Sequence, residues 1–259
     1  MKFLKEKEIR KSAPSVFTQT PSREVSSKYT HIPTTRVISD MEVLGWGVVS
    51  AQEVRTRKYH GYQKHLLTFR NPEITITGKD GDTVYPQIVV TNSHDGKSSF
   101  TFTAGLFRLV CSNGLVVADE EFANMKIRHM GYSFEELQGL MKKIVETLPL
   151  TVECMNRMRE TEMTEDMMIQ FATDCIQTRF TKDQIIGVDM VELLNPTRKE
   201  DMGSDLWNVF NVVQEKVLAG DFQVTTKKGK IRKAREVKNF ILDQKINKEL
   251  YQVALNYMN

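Results

Sequence analysis

Cysteine is scarce in this chain: Cys111, Cys154 and Cys175 are the three in 259 residues, widely spaced and odd in number. They form no CxxC pair and no zinc spacing, which excludes a disulfide framework and a zinc finger. No apolar run reaches the roughly 18 residues that a membrane-crossing helix needs. The opening MKFLKEKEIRKS is too charged for the apolar centre of a signal peptide. Phosphate-cradling loops are missing too. There is no GxxxxGK[ST] and no GxGxxG after a strand, which argues against ATP-driven chemistry. The five histidines, His31, His60, His65, His94 and His129, form no HxH, HxxH or HExxH. The expectation is therefore a cytoplasmic protein with no catalytic residue, no metal, no cofactor and no membrane contact.

What is present describes a folded chain. Apolar residues make up 40% and charged residues 27%, the proportions of a globular protein. Net charge is only +3, but it is unevenly spread. Residues 1–130 carry a balance of +5, residues 131–220 one of −7 and residues 221–259 one of +5. Basic ends around an acidic middle suit an acidic partner such as nucleic acid, or head-to-tail pairing of subunits into a homo-oligomer.

The pattern predicts three parts. Residues 1–35 are rich in Ser, Thr and Pro and read as a mobile N-terminal arm. Residues 36–130 read as strands. WGVVSAQEVRTR alternates in part, and KHLLTFR and EITIT are short apolar runs. Gly78, Asp80 and Gly81 mark a turn, and SSFTFTAGL alternates cleanly. Residues 131–259 read as helices. Ser133 and Glu136 have capping-box spacing, and Thr164 precedes an acidic first turn. Pro149 should kink or interrupt its helix, KDQIIGVDMVELL should end before Asn195-Pro196, and Gly220 should close DLWNVFNVVQEKVLAG. Strands followed by helices give an α+β fold: an antiparallel sheet of about five or six strands, with a helical C-terminal half packed on it. Residues 36–259 are expected to form one folded unit.

TNSHDGKSSF, residues 91–100, invites a catalytic reading with Cys111. A hairpin explains it more simply, because Asp95-Gly96 is a strong turn signal between two strand-like runs. No nucleophile motif surrounds Cys111, whose neighbours Leu109 and Val110 suggest a small buried residue. Arg108 lies in the same apolar run and needs a carboxylate if buried, with Glu200 or Asp201 as candidates.

Two basic clusters are the candidate nucleic-acid contacts. The first, VRTRKYHGYQKHLLTFR, interleaves Arg55, Arg57, Lys58, Lys64, His65 and Arg70 with Tyr59, Tyr62 and Phe69, offering both charge and flat stacking surfaces. The second, TTKKGKIRKAR, holds Lys227, Lys228, Lys230, Arg232, Lys233 and Arg235 with no acid among them.

VVTNSHDGKSSFTFTAGLFRLVCSNGLVV resembles the core motif of the DUF932, or phage/plasmid-like, family. LLNPTRKEDMGSDLWNVFNVVQEKVLAGDF is similar to that family's C-terminal signature through Arg198, Glu200, Asp201, Leu206, Trp207, Phe210, Asn211, Gln214 and Glu215. The resemblance covers roughly residues 36–259 and carries no catalytic assignment. It implies a mobile-element setting in a bacterium or its phage. Three function classes follow. The first is an accessory protein that binds nucleic acid, single-stranded DNA favoured, in recombination or strand annealing. The second is a protein-binding module such as an antirestriction or defence inhibitor. The third is an enzyme with a dispersed site, such as a nuclease.

Overall fold

The strand-forming sequences lie ahead of the main run of helices and pair antiparallel. The computed structural model describes residues 2–27, 29–56, 60–77, 83–108, 114–115, 126–127, 133–220 and 222–258. The sheet is carried by β1 (Gly47–Glu53), β2 (His65–Arg70), β4 (Thr83–Asn92) and β5 (Phe100–Arg108), adjoining in the order β1-β2-β4-β5. β3 (Ile76–Thr77), β6 (Gly114–Leu115) and β7 (Lys126–Ile127) are only two residues long. The α+β class holds, with four long strands where five or six were expected. EITIT and NGLVVA each contribute only a two-residue strand among the described residues.

Side-chain alternation places one apolar face on this sheet. Across the β2–β4 ladder Leu67 opposes Val90 and Phe69 opposes Ile88. β1 joins through Val48 opposite Phe69 and Ala51 opposite Leu67. The register shifts between Val48 and Ser50, which is why WGVVSAQEVRTR alternates only in part. Between β4 and β5 Gly96 takes φ 71°, and Asp95 accepts the Lys97 N–H at 3.0 Å. This is the hairpin that the sequence implies. The turn at Gly78, Asp80 and Gly81 lies outside the described residues, as do Cys111 and His129.

The N-terminal stretch differs from the expected mobile arm. It forms α1 (Glu6–Ser12), a 3-10 turn (Pro14–Phe17) and the start of α2 (Thr34–Val43). Ile9, Ala13, Val16, Ile32, Val37 and Met41 are buried in one cluster with Trp46, Leu67, Phe69, Ile88, Val90, Phe100 and Phe102. Few apolar residues suffice because the sheet supplies the other side of the contact. Each large aliphatic side chain so buried contributes about 1.5–3 kcal/mol. The backbone is tied as well, Leu4 N–H donating to Val48 O at 2.7 Å. Gly47 fits because a Cβ there would stand 2.6 Å from the Phe3 ring.

Two compact units divide the chain: Met1–Ile76, Val84–Phe107 and Val117–Pro149, then Thr77–Thr83, Arg108–Val116 and Leu150–Asn259. The division falls inside α3 (Phe134–Glu160), which is not interrupted at Pro149. Proline removes one helical hydrogen bond, and the helix continues through the turns on either side. Ser133 Oγ caps α3 by accepting the Glu136 N–H at 3.1 Å.

The second unit is mainly helical: α4 (Glu165–Gln177), α5 (Lys182–Ile185), α6 (Met190–Leu194), α7 (Leu206–Ala219) and α8 (Phe240–Asn256), with β8 (Gln223–Thr225) and β9 (Ile231–Lys233) as a hairpin. Thr164 caps α4 through the Met167 N–H. KDQIIGVDMVELL ends before Pro196 but is two helices, because Gly187 at φ 83° breaks it and Asp189 caps the second. α7 is buried on most of its circumference, including Leu206, Trp207, Val209, Phe210, Val213 and Val217. Its polar residues are bonded inside. Gln214 donates to Asn247 of α8 at 2.6 Å, and Asn211 donates to Trp207 O at 2.7 Å. Arg198 grips Glu215, with one bond at 2.8 Å, and reaches Asp201 at 3.2 Å. These bonds tie the loop before α7 to that helix. The Arg108 side chain is outside the description.

Candidate nucleic-acid interface

The two basic clusters meet different fates. In the first, Arg55 is exposed, while Tyr62, Lys64 and Arg70 are half-buried. Burial pulls the Lys64 ammonium below its ordinary range and brings the Arg70 guanidinium down to about 10. His65 and Phe69 are fully buried, so neither offers charge or a stacking surface to a ligand. Arg57, Lys58 and Tyr59 lie outside the described residues.

In the second cluster every cation is exposed: Lys227, Lys228, Lys230, Arg232, Lys233 and Arg235. They sit on and beside the β8–β9 hairpin, where Gln223 opposes Lys233, Val224 opposes Arg232 and Thr225 opposes Ile231. Gly229 makes the turn at φ 73°, its N–H donating to Thr226 O at 2.8 Å, while Thr226 N–H donates to Lys230 O at 2.7 Å. Val224 is buried and anchors one face, and Phe222 packs edge-on against Phe180 with centroids 5.7 Å apart. Ala234 N–H donates to Phe222 O at 2.8 Å, extending the ladder by one pair. Arg179 fixes the base by donating to the carbonyls of Val217 and Arg235. Its own basicity is lowered by burial and then by the nearby Arg232 charge. Gly220 at φ 74° permits the close approach, since a Cβ there would meet the Arg235 carbonyl carbon at 2.7 Å. The exposed cations of TTKKGKIRKAR are thus carried on and beside a hairpin whose base is braced. Arg179 is distant in sequence, and no local signal marks it.

A second polar cluster lies in the first unit. His65 is fully buried; its Nδ1 is 3.0 Å from Ser15 Oγ and 3.2 Å from Gln63 O, and its Nε2 is 2.8 Å from Thr34 Oγ1. Because the Gln63 carbonyl can only accept, Nδ1 carries the proton and Nε2 accepts from Thr34. Thr34 Oγ1 accepts from Asn92 Nδ2 at 2.9 Å, and Asn92 also donates to Ile32 O at 3.1 Å. Burial brings the His65 pKa down to about 4. The His94 ring lies 5.1 Å from that of His65 and 4.6 Å from that of His31. His94 N–H donates to Tyr62 O at 2.9 Å, and its carbonyl accepts from Ser22 N–H at 2.8 Å. Ser15, His65 and His94 are all fully buried, so the Ser15–His65 pair presents no nucleophile at the surface. It knots three distant stretches together. Among the described residues no group of three or more His, Cys, Asp or Glu side chains could hold a metal, and no helix is long and apolar enough to cross a membrane.

An antiparallel sheet unit followed by a helical unit with an exposed cationic hairpin defines a two-part α+β protein without a described metal centre. The chain belongs to the family described as "Domain of unknown function (DUF932)", whose profile matches residues 22–249. It is similar to UPF0380 protein YfjQ of Escherichia coli (strain K12), 29% identical over 253 residues, covering 97% of this chain and 90% of that relative. UPF0380 protein YafZ of the same organism shows the same identity and coverage. No solved structure matches.

Proposed function

We propose that this chain is an accessory protein that binds nucleic acid, holding single-stranded DNA along the β8–β9 hairpin in strand annealing or recombination. The observation that carries this reading is the exposure of all six cations of TTKKGKIRKAR on and beside one braced hairpin. Phosphates repeat along a strand, and several cations gathered on one hairpin neutralise several at once, releasing counterions. Single strands are favoured because Ile231, highly exposed among the cations, offers an apolar contact that an unstacked base can use.

The test is an anisotropy titration of the full chain with a labelled single-stranded oligonucleotide across a salt series. Replacing Lys227, Lys228 and Lys230 together by Ala should weaken binding at least about tenfold and lower the magnitude of the log–log salt slope by about 2. Binding with an unchanged slope removes the hairpin from the interface. Failure of the intact chain to bind at low salt removes the function.

A further inference from the structure

At the foot of the hairpin is a groove of about 390 Å³, lined by Glu192, Phe222, Gln223, Ile231, Arg232 and Lys233. Its size falls within the range of small-ligand clefts. Its walls are fixed on three sides. Asp189 accepts the Val191 and Glu192 N–H groups at 2.9 and 3.2 Å, holding the first turn of α6. Phe222 is buried against Phe180. Thr225 Oγ1 donates to Ile186 O at 3.3 Å, docking β8 beside the end of α5.

The lining is mixed in a way that phosphate binding alone does not need. Arg232 and Lys233 suit a phosphate, but the Glu192 carboxylate in the same groove repels one. Phe222 and Ile231 supply apolar walls, and Gln223 supplies both a donor and an acceptor. A nucleotide has all of these complements: an anionic phosphate, an apolar ring face and a polar ring edge. We infer that this groove receives a single unstacked base, with its phosphate on Arg232 and Lys233 and its edge on Glu192 and Gln223. The inference rests on the nucleic-acid reading of the hairpin and adds a preference to it. A carboxylate accepts well from the amino group of cytosine, adenine or guanine. The thymine edge places a carbonyl on each side of its one N–H, and both repel Glu192.

The experiment compares oligodeoxycytidylate, oligothymidylate and an abasic oligomer of equal length, each bound by the full chain and by the Glu192→Gln variant. Glu192 is exposed, so the exchange leaves folding intact; thermal unfolding of the variant checks this. The intact chain should bind the cytidylate about fivefold tighter than the thymidylate and about tenfold tighter than the abasic strand. Glu192→Gln should bring the cytidylate-to-thymidylate ratio close to one, with the salt slope little changed. Equal affinity for the abasic and cytidylate strands overturns the base pocket and leaves the cationic hairpin standing. So does a base preference that survives in Glu192→Gln. Binding of poly-glutamate with no oligonucleotide binding at all overturns both readings and makes the hairpin a protein-docking surface.

Discussion

The histidine knot of the first unit and the cationic hairpin of the second contain similar material put to opposite use. Both are built from polar residues of the kinds that functional sites use. His65 is sealed in, and its bonds to Ser15 and Thr34 tie distant parts of the chain together. Lys227, Lys228 and Lys230 are open to solvent, on a turn shaped by Gly229 and the Thr226 backbone. A buried polar group lost from one stability ledger leaves partners stranded, whereas an exposed cation removed leaves only water behind. Residue type alone does not separate these roles; burial does.

Truncation tests the contrast most harshly. Removing residues 1–30 deletes Ile9, Ala13, Val16 and the Ser15 end of the knot. The first unit should then lose cooperative unfolding and near-ultraviolet circular dichroism. A truncated chain that melts like the intact one restores the mobile-arm reading. His65→Ala comes next, leaving the Ser15 and Thr34 hydroxyls and the Gln63 carbonyl short of a partner. Urea unfolding should show a loss of about 3 kcal/mol.

The same histidine gives the contrast a pH signature. Its folded pKa of about 4 lies below the 6.5 of a free imidazole, so the unfolded chain takes up the proton first. Stability from this group is full above about pH 6.5, falls as pH drops toward 4 and levels off below that. The total is on the order of 3 kcal/mol. In His65→Ala that window should flatten. An unaltered pH profile in the variant assigns the effect elsewhere.

Smaller effects sharpen the other side. Gly220→Ala forces an L side chain into φ 74° and against the Arg235 backbone, so a cost of about 2 kcal/mol is expected in thermal or urea unfolding. Lys228→Ala should change stability by less than about 0.5 kcal/mol while weakening oligonucleotide binding. A large stability loss there means the hairpin is a structural element after all.

Local signals in the sequence carried furthest. Ser133, Thr164 and Gly220 each act within a few residues, and each sits where its chemistry places it. The Asp95-Gly96 turn is equally local. Gly187 was hidden because the apolar spacing runs on across it, while its positive φ splits the helix. Residues 1–35 misled for a different reason. Ile9, Val16 and Ile32 are too sparse to make a core of their own, and the sheet face that completes it lies far along the chain. The knot is less legible still, since Ser15 and His65 are 50 residues apart and Thr34 and His65 are 31 apart. The basic residues of 225–235 are obvious in sequence; that they ride on a braced hairpin, with Glu192 of α6 lining the groove at its foot, is not.

Arg179 has one more consequence. Its side chain holds the carbonyls of Val217 and Arg235, the stem adds the Ala234–Phe222 bond, and Val237 N–H donates to Leu218 O at 2.9 Å. Trypsin finds its preferred residues at the tip of this hairpin, at Lys227, Lys228 and Lys230, while the stem remains clamped. A chain nicked there should travel as one particle in native buffer and separate into two fragments in detergent. The C-terminal fragment, carrying α8, would stay seated after the covalent link is gone, as a subunit made from what was a single chain.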